Sequence, residues 1–354
     1  MKHETVFVGL SGGVDSSVAA LRLKKAGHKV VGVFIKVWQP DFLDCNWEAE
    51  RIDAMRVAAH LDIPFRTFDA VSVYKREVAD YMINEYKAGR TPNPDVMCNQ
   101  HVKFGAFLEY ALTNGADKVA TGHYAQIETD GGRQKLLRGA DAGKDQSYFL
   151  WSLTEDQLAK IYFPVGSSEK SAVREEARKA GIPTFKKPDS QGICFLGEVD
   201  MKSFLSHYID LSKGAVLDTN GDVIGVHDGA LLYTFGQRHG FKITVKTSGD
   251  SPQYVISKNL NANTITVSDT LPTIRKGSVS LSSYINRSGK RSGEYLAQFR
   301  YRQKPFSVAL HDDATEKIKL EIKDESVQLP SVGQSCVLYD ETECIGGGII
   351  DSIC

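Results

Sequence analysis

Over roughly the first 130 residues, short apolar runs alternate with amphipathic stretches. Val6-Phe7-Val8-Gly9-Leu10 and Val30-Val31-Gly32-Val33-Phe34-Ile35 are continuous apolar runs, the signature of strands buried on both faces. Between them Val14, Val18 and Leu21 recur at helical spacing, which predicts a helix from about Asp15 to Ala26 ended by Gly27. The pattern continues with a helix over about Trp47 to Leu61, a strand over Phe65 to Asp69 and a helix over about Val73 to Lys87. Phe104, Phe107, Leu108 and Ala111 mark a helix ending near Gly115, and Lys118 to Thr121 reads as a fourth strand. Strands alternating with helices imply a parallel sheet covered on both faces, an α/β fold.

After Trp151 the texture changes. Ser168 to Ala180 is a charged amphipathic helix with Val173 and Ala177 inward, stopped by Gly181 and Pro183. Beyond about Lys213 the period becomes that of strands. Asn220-Gly221 between Val216-Leu217 and Val223-Ile224 is a hairpin signal. Tyr254 to Ile256 and Thr264 to Val267 flank a second turn, and Gly277 to Leu281, Tyr295 to Tyr301, Ser307 to Leu310, Ile318 to Ile322 and Val337 to Tyr339 continue the series. Short strands at this spacing predict small barrels or sandwiches. No repeat or low-complexity linker separates the parts, so close packing of the domains is expected.

Composition narrows the class. At 354 residues the chain exceeds one core and divides into two or three domains. Its 42% hydrophobic and 25% charged residues are those of an ordinary globular protein. A net charge of −1 gives no global positive field, so contact with nucleic acid must come from local basic clusters. No apolar run approaches the roughly 20 residues that span a bilayer, and Met1 to Thr5 leads straight into a strand without signal or transit features, so the cytoplasm is expected. Six cysteines are scattered without a C-x-x-C pair, which fits neither a disulfide framework nor a closed zinc site.

Ser11-Gly12-Gly13-Val14-Asp15-Ser16-Ser17 joins the first strand to the first helix. Glycines let backbone N–H groups turn toward an anion, and the helix N-terminus adds its positive dipole end. Ser11, Ser16 and Ser17 offer hydroxyls, and Asp15 can hold a magnesium ion or cap the helix. The loop has neither the Lys-Ser/Thr of a Walker A motif nor a dinucleotide G-x-G-x-x-G. The string resembles the PP-loop of the ATP-pyrophosphatase superfamily. That resemblance implies cleavage of ATP between the α- and β-phosphates, with AMP passed to a carbonyl-type oxygen.

Two cysteine segments narrow this further. Thr91-Pro92-Asn93-Pro94-Asp95-Val96-Met97-Cys98-Asn99 reads as a Pro-punctuated loop directly before a helix, where the dipole favours thiolate at Cys98, with Lys103 and His101 nearby. Pro188-Asp189-Ser190-Gln191-Gly192-Ile193-Cys194-Phe195-Leu196 reads as a turn into a short apolar stretch. A sulfur relay needs one thiol to carry a persulfide and another to release it by disulfide formation.

These segments resemble the tRNA-specific 2-thiouridylase family (the MnmA/TrmU enzymes). The likeness extends over almost the whole chain through Ala120-Thr121-Gly122-His123-Tyr124-Ala125, Lys144-Asp145-Gln146-Ser147-Tyr148-Phe149-Leu150, Thr234-Phe235-Gly236-Gln237-Arg238, Phe299-Arg300-Tyr301-Arg302-Gln303 and Gly346-Gly347-Gly348. It implies a doubly wound parallel-sheet PP-loop catalytic domain over 1–200, a small central domain over 201–272 and a C-terminal, tRNA-contacting β-barrel over 273–354. Gly9, Leu10, Ser11, Gly12, Gly13, Val14, Asp15, Ser16, Ile35 and Gly122 would contact ATP, with Mg2+ as cofactor. Asn93, Pro94 and Asp95 would surround the target base, Asp95 as an acid/base. Cys194 would hold the persulfide and Cys98 would form a transient disulfide with it. His123, Lys144, Asp145, Gln146, Arg300, Tyr301 and Gln334 would contact tRNA. The implied partners are the glutamate, glutamine and lysine tRNAs and a sulfur donor, either a cysteine desulfurase or a relay carrier protein.

Other readings stay open on the residues alone. A PP-loop ligase for a small molecule, such as NAD synthetase, would not need Cys98 and Cys194. A non-catalytic nucleotide- or RNA-binding protein would release no pyrophosphate. An iron–sulfur site could use Cys98, Cys194 and Asp95, although ferredoxin-like cysteine runs are absent. Arg287 to Lys304 interleaves Arg287, Lys290, Arg291, Arg300, Arg302 and Lys304 with Tyr295, Phe299 and Tyr301, and with the family likeness reads as an RNA-facing stretch. Trp38 and Trp47 read as packing residues, and Cys45, Cys336, Cys344, Cys354 and His60 as structural.

Overall fold

The computed structural model describes residues 3–43, 47–189, 192, 194, 197, 200–245, 251–274, 276–311, 318–324 and 326–354. Cys45 and, within the second cysteine segment, Ser190, Gln191, Ile193, Phe195 and Leu196 lie outside them.

β1 (Thr5–Gly9), β2 (Lys29–Lys36), β3 (Phe65–Asp69), β4 (Lys118–Ala120) and β7 (Ile161–Tyr162) form one parallel sheet in the order β3-β2-β1-β4-β7. The alternation of side chains along each strand divides its residues between two cores. Val6 and Val8 face helices α1 (Val14–Lys25) and α2 (Trp47–His60), while Phe7 faces helical segments 71–87 and 94–113. Fully burying a side chain such as Phe7 contributes about 1.5–3 kcal/mol, so each core fixes its own helix layer. β1 pairs with β2 on one side and β4 on the other, which makes its C-terminal end a topological switch point and so a natural crevice for a ligand.

Both helical segments on the Phe7 face contain a π-turn. Segment 71–87 is α-helical over Val71–Tyr74 and Tyr81–Lys87 with Lys75–Asp80 between them, and segment 94–113 is α-helical over Pro94–Met97 and Phe107–Thr113 with Cys98–Ala106 between them. The second begins ten residues before the first apolar marker of the sequence pattern, Phe104. Pro94 occupies its first position and the Asn93 side chain accepts from Val96 N at 3.4 Å. An Asn-Pro pair that reads as loop punctuation is here an N-cap followed by a proline whose missing N–H costs nothing. Cys98 therefore lies inside the helix, one turn beyond its end.

The second half holds two β units. β8 (Gly214–Leu217), β9 (Val223–His227), β10 (Phe241–Ile243), β11 (Tyr254–Asn259) and β12 (Thr264–Ser268) form a sheet in the order β10-β9-β8-β12-β11. The Asn220-Gly221 turn joins antiparallel β8 and β9, with Gly221 at φ +91°. A short pair, β13 (Thr273–Ile274) with β18 (Val327–Gln328), precedes a barrel. β14 (Ser278–Asn286), β17 (Ile318–Ile322), β16 (Phe306–His311), β15 (Ser292–Gln298), β19 (Ser335–Asp340) and β20 (Glu343–Ile353) close through β14–β20 pairing into six strands.

Among the strands without a counterpart in the apolar pattern are β20 and the hairpin over residues 125–138. β20 contains Gly346-Gly347-Gly348, where a Cβ at Gly346 would lie 1.9 Å from Ile285 O and one at Gly347 2.4 Å from Cys336 O. Backbone approach at the bulged β14–β20 seam demands those glycines. The hairpin β5 (Ala125–Asp130) and β6 (Arg133–Arg138) is mostly polar and half-exposed, and attaches to the barrel through Leu137 opposite Glu343.

The barrel is pinned to the first sheet by buried polar contacts. Trp151 Nε1 donates to Ser335 Oγ at 3.0 Å and Tyr148 OH to Ser335 O at 2.9 Å. Arg287 donates to Trp151 O at 2.7 Å, Leu153 O at 2.6 Å and Cys344 O at 2.5 Å. Arg287 is thus a buried clamp between units, which corrects its sequence reading as part of an RNA-facing stretch.

Candidate active site

At the switch point, Ser11–Gly13 leaves β1 and α1 begins, with Gly12 at φ +72° and Gly13 as an N-cap that has no side-chain capping bond. The first N–H groups of a helix have no intrahelical partner, so an uncapped end at a glycine turn is an anion cradle. Its hydroxyls are ordered locally: Ser17 Oγ donates to Gly13 O at 2.7 Å, Ser16 Oγ to Gly13 O at 3.2 Å, and Ser11 Oγ lies 3.3 Å from Ser16 Oγ. Leu10 and Val14 are buried in the core, and Leu10 N donates to Val33 O at 2.8 Å. Gly9 lies beside Ile35, whose Cδ1 would be 3.7 Å from a Cβ at Gly9. Gly122, after β4, closes the other side; a Cβ there would lie 2.6 Å from Ser16 N.

Asp15 neither caps the helix nor stands alone. Both its oxygens accept from Lys170 Nζ at 2.7 Å, and Oδ1 accepts from Tyr124 OH at 2.9 Å. Lys170 is buried and also pairs with Asp189 at 2.9 Å. Asp189 in turn meets Lys144 at 2.8 Å and Arg174 at 2.5 Å. Burial works against the Asp189 charge, but bonds from Lys144, Lys170 and Arg174 outweigh it and hold the carboxyl well below its usual range. A chain of ion pairs therefore runs from the phosphate loop to the segment carrying Cys194. Asp15 and Asp189 are the carboxylates beside the loop that could hold a hard divalent cation, which takes one or two carboxylates plus phosphate oxygens.

The Cys98 Sγ donates to Cys194 Sγ across 3.6 Å. Asp95 Oδ1 accepts from Cys194 N at 2.9 Å, and Tyr74 OH donates to Cys194 O at 2.8 Å. Burial, followed by the bond to Cys194, pushes the Cys98 thiol well up, which corrects the expectation that the helix dipole makes Cys98 the thiolate. The bond from Cys98, joined by the Lys103 charge, pulls Cys194 down against its burial. Burial raises Asp95, partly offset by the Cys194 N–H and Lys103. Among the described residues no group of three His, Cys, Asp or Glu side chains is arranged to hold a metal.

The loop after β4 joins the two centres. Gly122 and Tyr124 face the phosphate loop, whereas His123 faces the thiols: its Nε2 lies 3.5 Å from Lys103 Nζ and its Nδ1 2.7 Å from Thr121 Oγ1. Burial and the Lys103 charge keep His123 neutral.

The remaining singled-out residues form a band between the units. Gln146 Oε1 accepts from Tyr124 N at 2.9 Å. Asp145 is buried and accepts from Gly139 N, Ser147 N, Ser147 Oγ and Arg138, so its carboxylate organises this turn from within. Arg300 donates to Phe235 O at 2.6 Å, and the Tyr301 ring lies 4.6 Å from that of Phe149. Gln334 Oε1 is buried without a hydrogen-bond partner among the described residues. Thr91, two residues before Asn93, donates its N–H to Val332 O at 2.9 Å, and its Oγ1 lies 3.1 Å from Thr234 Oγ1. Sequence reasoning missed Tyr74 and Lys170. Tyr74 resembles any core aromatic, and Lys170 opens a helix rich in lysines and arginines.

Three family models match consecutive stretches: a tRNA methyl transferase HUP domain over residues 4–198, a tRNA methyl transferase PRC-barrel domain over 202–269 and an aminomethyltransferase β-barrel domain over 276–350. The chain is 45% identical to the tRNA-specific 2-thiouridylase MnmA of Geobacillus thermodenitrificans, covering 99% of this chain and 96% of that protein. It is 44% identical to the enzyme of that name from Listeria monocytogenes serotype 4a and 43% to that of Bacillus subtilis, each covering 98% of this chain and 95% of the relative. The model descriptions carry a methyl-transfer label, while these relatives are named for sulfur transfer.

Proposed function

Because the chain belongs to the tRNA-specific 2-thiouridylase family, we propose that it uses ATP to replace the C2 oxygen of a tRNA wobble uridine with sulfur carried on Cys194. The observation that carries this reading is the 3.6 Å approach of Cys98 to Cys194 beside Asp95.

A uracil C2 carbonyl resists substitution because its oxygen is a poor leaving group. In this reading the C2 oxygen attacks the α-phosphorus, the α–β bond breaks and pyrophosphate departs. Asp95 takes the proton lost from N3 and later returns it; burial moves its carboxyl toward the working range of a general base. Backbone N–H groups at Gly12 to Ser16 and the hydroxyls of Ser11 and Ser16 receive the phosphates, with Gly9, Ile35 and Gly122 shaping the adenosine side. Mg2+, held by Asp15 and Asp189, would neutralise charge on the phosphates.

The terminal sulfur of a Cys194 persulfide then attacks C2 and AMP leaves with the oxygen. The Cys98 thiol then loses its proton to solvent as its sulfur attacks Cys194 Sγ, breaking the S–S bond. Sulfur stays on C2 and a Cys98–Cys194 disulfide forms, which a thiol reductant resets by two electrons. A sulfane-sulfur donor, a cysteine desulfurase or a carrier protein, reloads Cys194. Asn93 and Pro94 border the flipped base, whose extraction costs a few kcal/mol, about the value for other flipped bases. His123, Lys144, Asp145, Gln146, Arg300, Tyr301 and Gln334 belong to the tRNA side of this proposal. Asp145 acts there through the turn it holds, and Lys144 by exchanging Asp189 for phosphate. The division into a catalytic domain (1–200), a central domain (201–272) and a tRNA-contacting barrel (273–354), the glutamate, glutamine and lysine tRNAs as substrates, and cytoplasmic residence are parts of the same reading. Among the described residues no helix is long and apolar enough to cross a membrane.

The test is nucleoside mass spectrometry of unmodified glutamate, glutamine and lysine tRNAs after incubation with enzyme, ATP, Mg2+, a sulfane-sulfur donor (a cysteine desulfurase with cysteine) and a thiol reductant. Formation of 2-thiouridine dependent on ATP supports the reading. Its absence, with active donor controls, overturns it.

A further inference from the structure

A persulfide carrier must hold its sulfur as an anion in a site from which water is largely excluded, and isolated anions are costly there. Cys98 cannot supply the counter-charge, because it is a neutral thiol donor. Asp95 is itself acidic, Tyr74 donates to the Cys194 carbonyl rather than to its sulfur, and His123 is neutral. Among the described titratable groups that act on the pair, Lys103 is the cation.

The π-turn explains how Lys103 reaches that place. In a regular α-helix residues five apart point to different faces, whereas i→i+5 bonding makes them near neighbours on one face. Asp95 and Cys98 are three apart within and just after the α-turn Pro94–Met97, and Lys103 is five beyond Cys98 within the π segment Cys98–Ala106. Asp95, Cys98 and Lys103 are thereby brought to one face, which meets Cys194. The Lys103 ammonium lies 3.5 Å from His123 Nε2 on the face that meets Cys194, and its charge acts on the Cys194 sulfur. With Lys103 donating, His123 Nε2 is the acceptor and its Nδ1–H bonds Thr121 Oγ1 at 2.7 Å. That arrangement fixes the lysine from the side of the loop that also lines the phosphate cradle. Burial disfavours the Lys103 charge, but the Cys194 and Cys98 sulfurs outweigh it and raise its pKa, so it stays protonated.

We propose that Lys103 is a catalytic residue of the sulfur-transfer step, holding the Cys194 thiolate and its persulfide anion through the ammonium that the π-turn delivers. This deepens the thiolation reading and rests on it for the persulfide, but the pairing itself is a property of the free protein. Lysine suits the task because a compact ammonium can follow the sulfur as it extends by one atom, whereas a planar guanidinium is built for carboxylate and phosphate forks. Loss of the ammonium should lower sulfur transfer more than adenylylation.

The experiment reads alkylation of the reduced, full-length protein by iodoacetamide against pH, with Cys98 and Cys194 peptides quantified separately by mass spectrometry and without ATP or tRNA. In the unaltered protein the Cys194 midpoint should lie below the ordinary thiol value of about 8.5 and below that of Cys98. Lys103→Met and Lys103→Gln should raise the Cys194 midpoint by about one pH unit, roughly a tenfold loss of thiolate below it. Lys103→Arg should restore most of the shift. A Cys194 midpoint at or above the ordinary value in the unaltered protein overturns the proposal whatever the variants do. So does an unmoved midpoint in either folded neutral variant, with folding judged by near-UV circular dichroism. Because no tRNA is present, the pairing can fail while 2-thiouridine still forms, and the reverse, so the two claims are separable.

Discussion

The Cys98 thiol donates to the Cys194 sulfur across 3.6 Å, and this direction makes the two cysteines unequal. The donor is buried and held as a thiol, while the acceptor is favoured as an anion and shares its backbone N–H with Asp95. A disulfide needs the sulfurs at about 2 Å, so a small approach of the Cys194 segment closes the bond. The order of events in the proposed cycle follows from that inequality.

Removing each thiol should therefore arrest the cycle at a different point. Cys194→Ser should lower 2-thiouridine formation by about a thousandfold or more, as loss of a nucleophile does, while tRNA-dependent pyrophosphate release persists. Cys98→Ser should instead accumulate a protein–tRNA adduct through Cys194, released by dithiothreitol and visible as a shifted band on a denaturing gel run without reductant.

Asp95→Asn keeps an acceptor for Cys194 N but cannot carry a proton. The rate of adenylylation should fall about 10²–10⁴-fold, the usual worth of a general base. In the unaltered enzyme the rate should climb with pH as the carboxylate forms, with that limb above the ordinary aspartate value of about 3.9 because burial raises Asp95. The limb should vanish in the variant, as measured by pyrophosphate release against pH.

Gly122→Ala would place a methyl 2.6 Å from Ser16 N, against backbone that has nowhere to go without moving the phosphate loop. Such overpacking costs about 1–3 kcal/mol. The KM for ATP should rise at least about tenfold, the ratio that 1.4 kcal/mol represents, with a smaller change in the alkylation rate of Cys194.

Asp189→Asn should loosen Lys144, Lys170 and Arg174 together. Asp189 is about one-third exposed, so solvent screening limits the loss to about 1 kcal/mol, or about 2–4 °C in Tm. Because its folded pKa is depressed, the contribution is present above the unfolded value of about 3.9 and fades as pH falls through the folded one. Thermal unfolding should show the gap between the two proteins narrowing below about pH 4.

Much of this was legible in the residues. The runs at Val6–Leu10 and Val30–Ile35 carried the parallel sheet because both faces of those strands are covered. The glycine-serine string marked the crevice at the end of β1, and the two Pro- and Gly-bordered cysteines proved to be neighbours. What periodicity could not convey was register within helices. The π-turn at Cys98–Ala106 leaves no trace in the apolar pattern, yet it decides which face Lys103 joins. The strand β20 with its three glycines is not among the expected strands, because only the opposing backbone of Ile285 and Cys336 reveals why a side chain is forbidden there. Arg287 looked like its exposed basic neighbours until its three carbonyl partners were in view.

Sulfur flow through the two cysteines is tested most directly in a single turnover. Enzyme loaded with one persulfide at Cys194 is mixed with unmodified tRNA, ATP and Mg2+ without reductant. At each time point 2-thiouridine is measured by nucleoside mass spectrometry and the Cys98–Cys194 disulfide by non-reducing peptide mapping. Both products should rise together, one disulfide per thiolated base and with one rate constant. Accumulation of 2-thiouridine while both cysteines remain reduced would contradict the account.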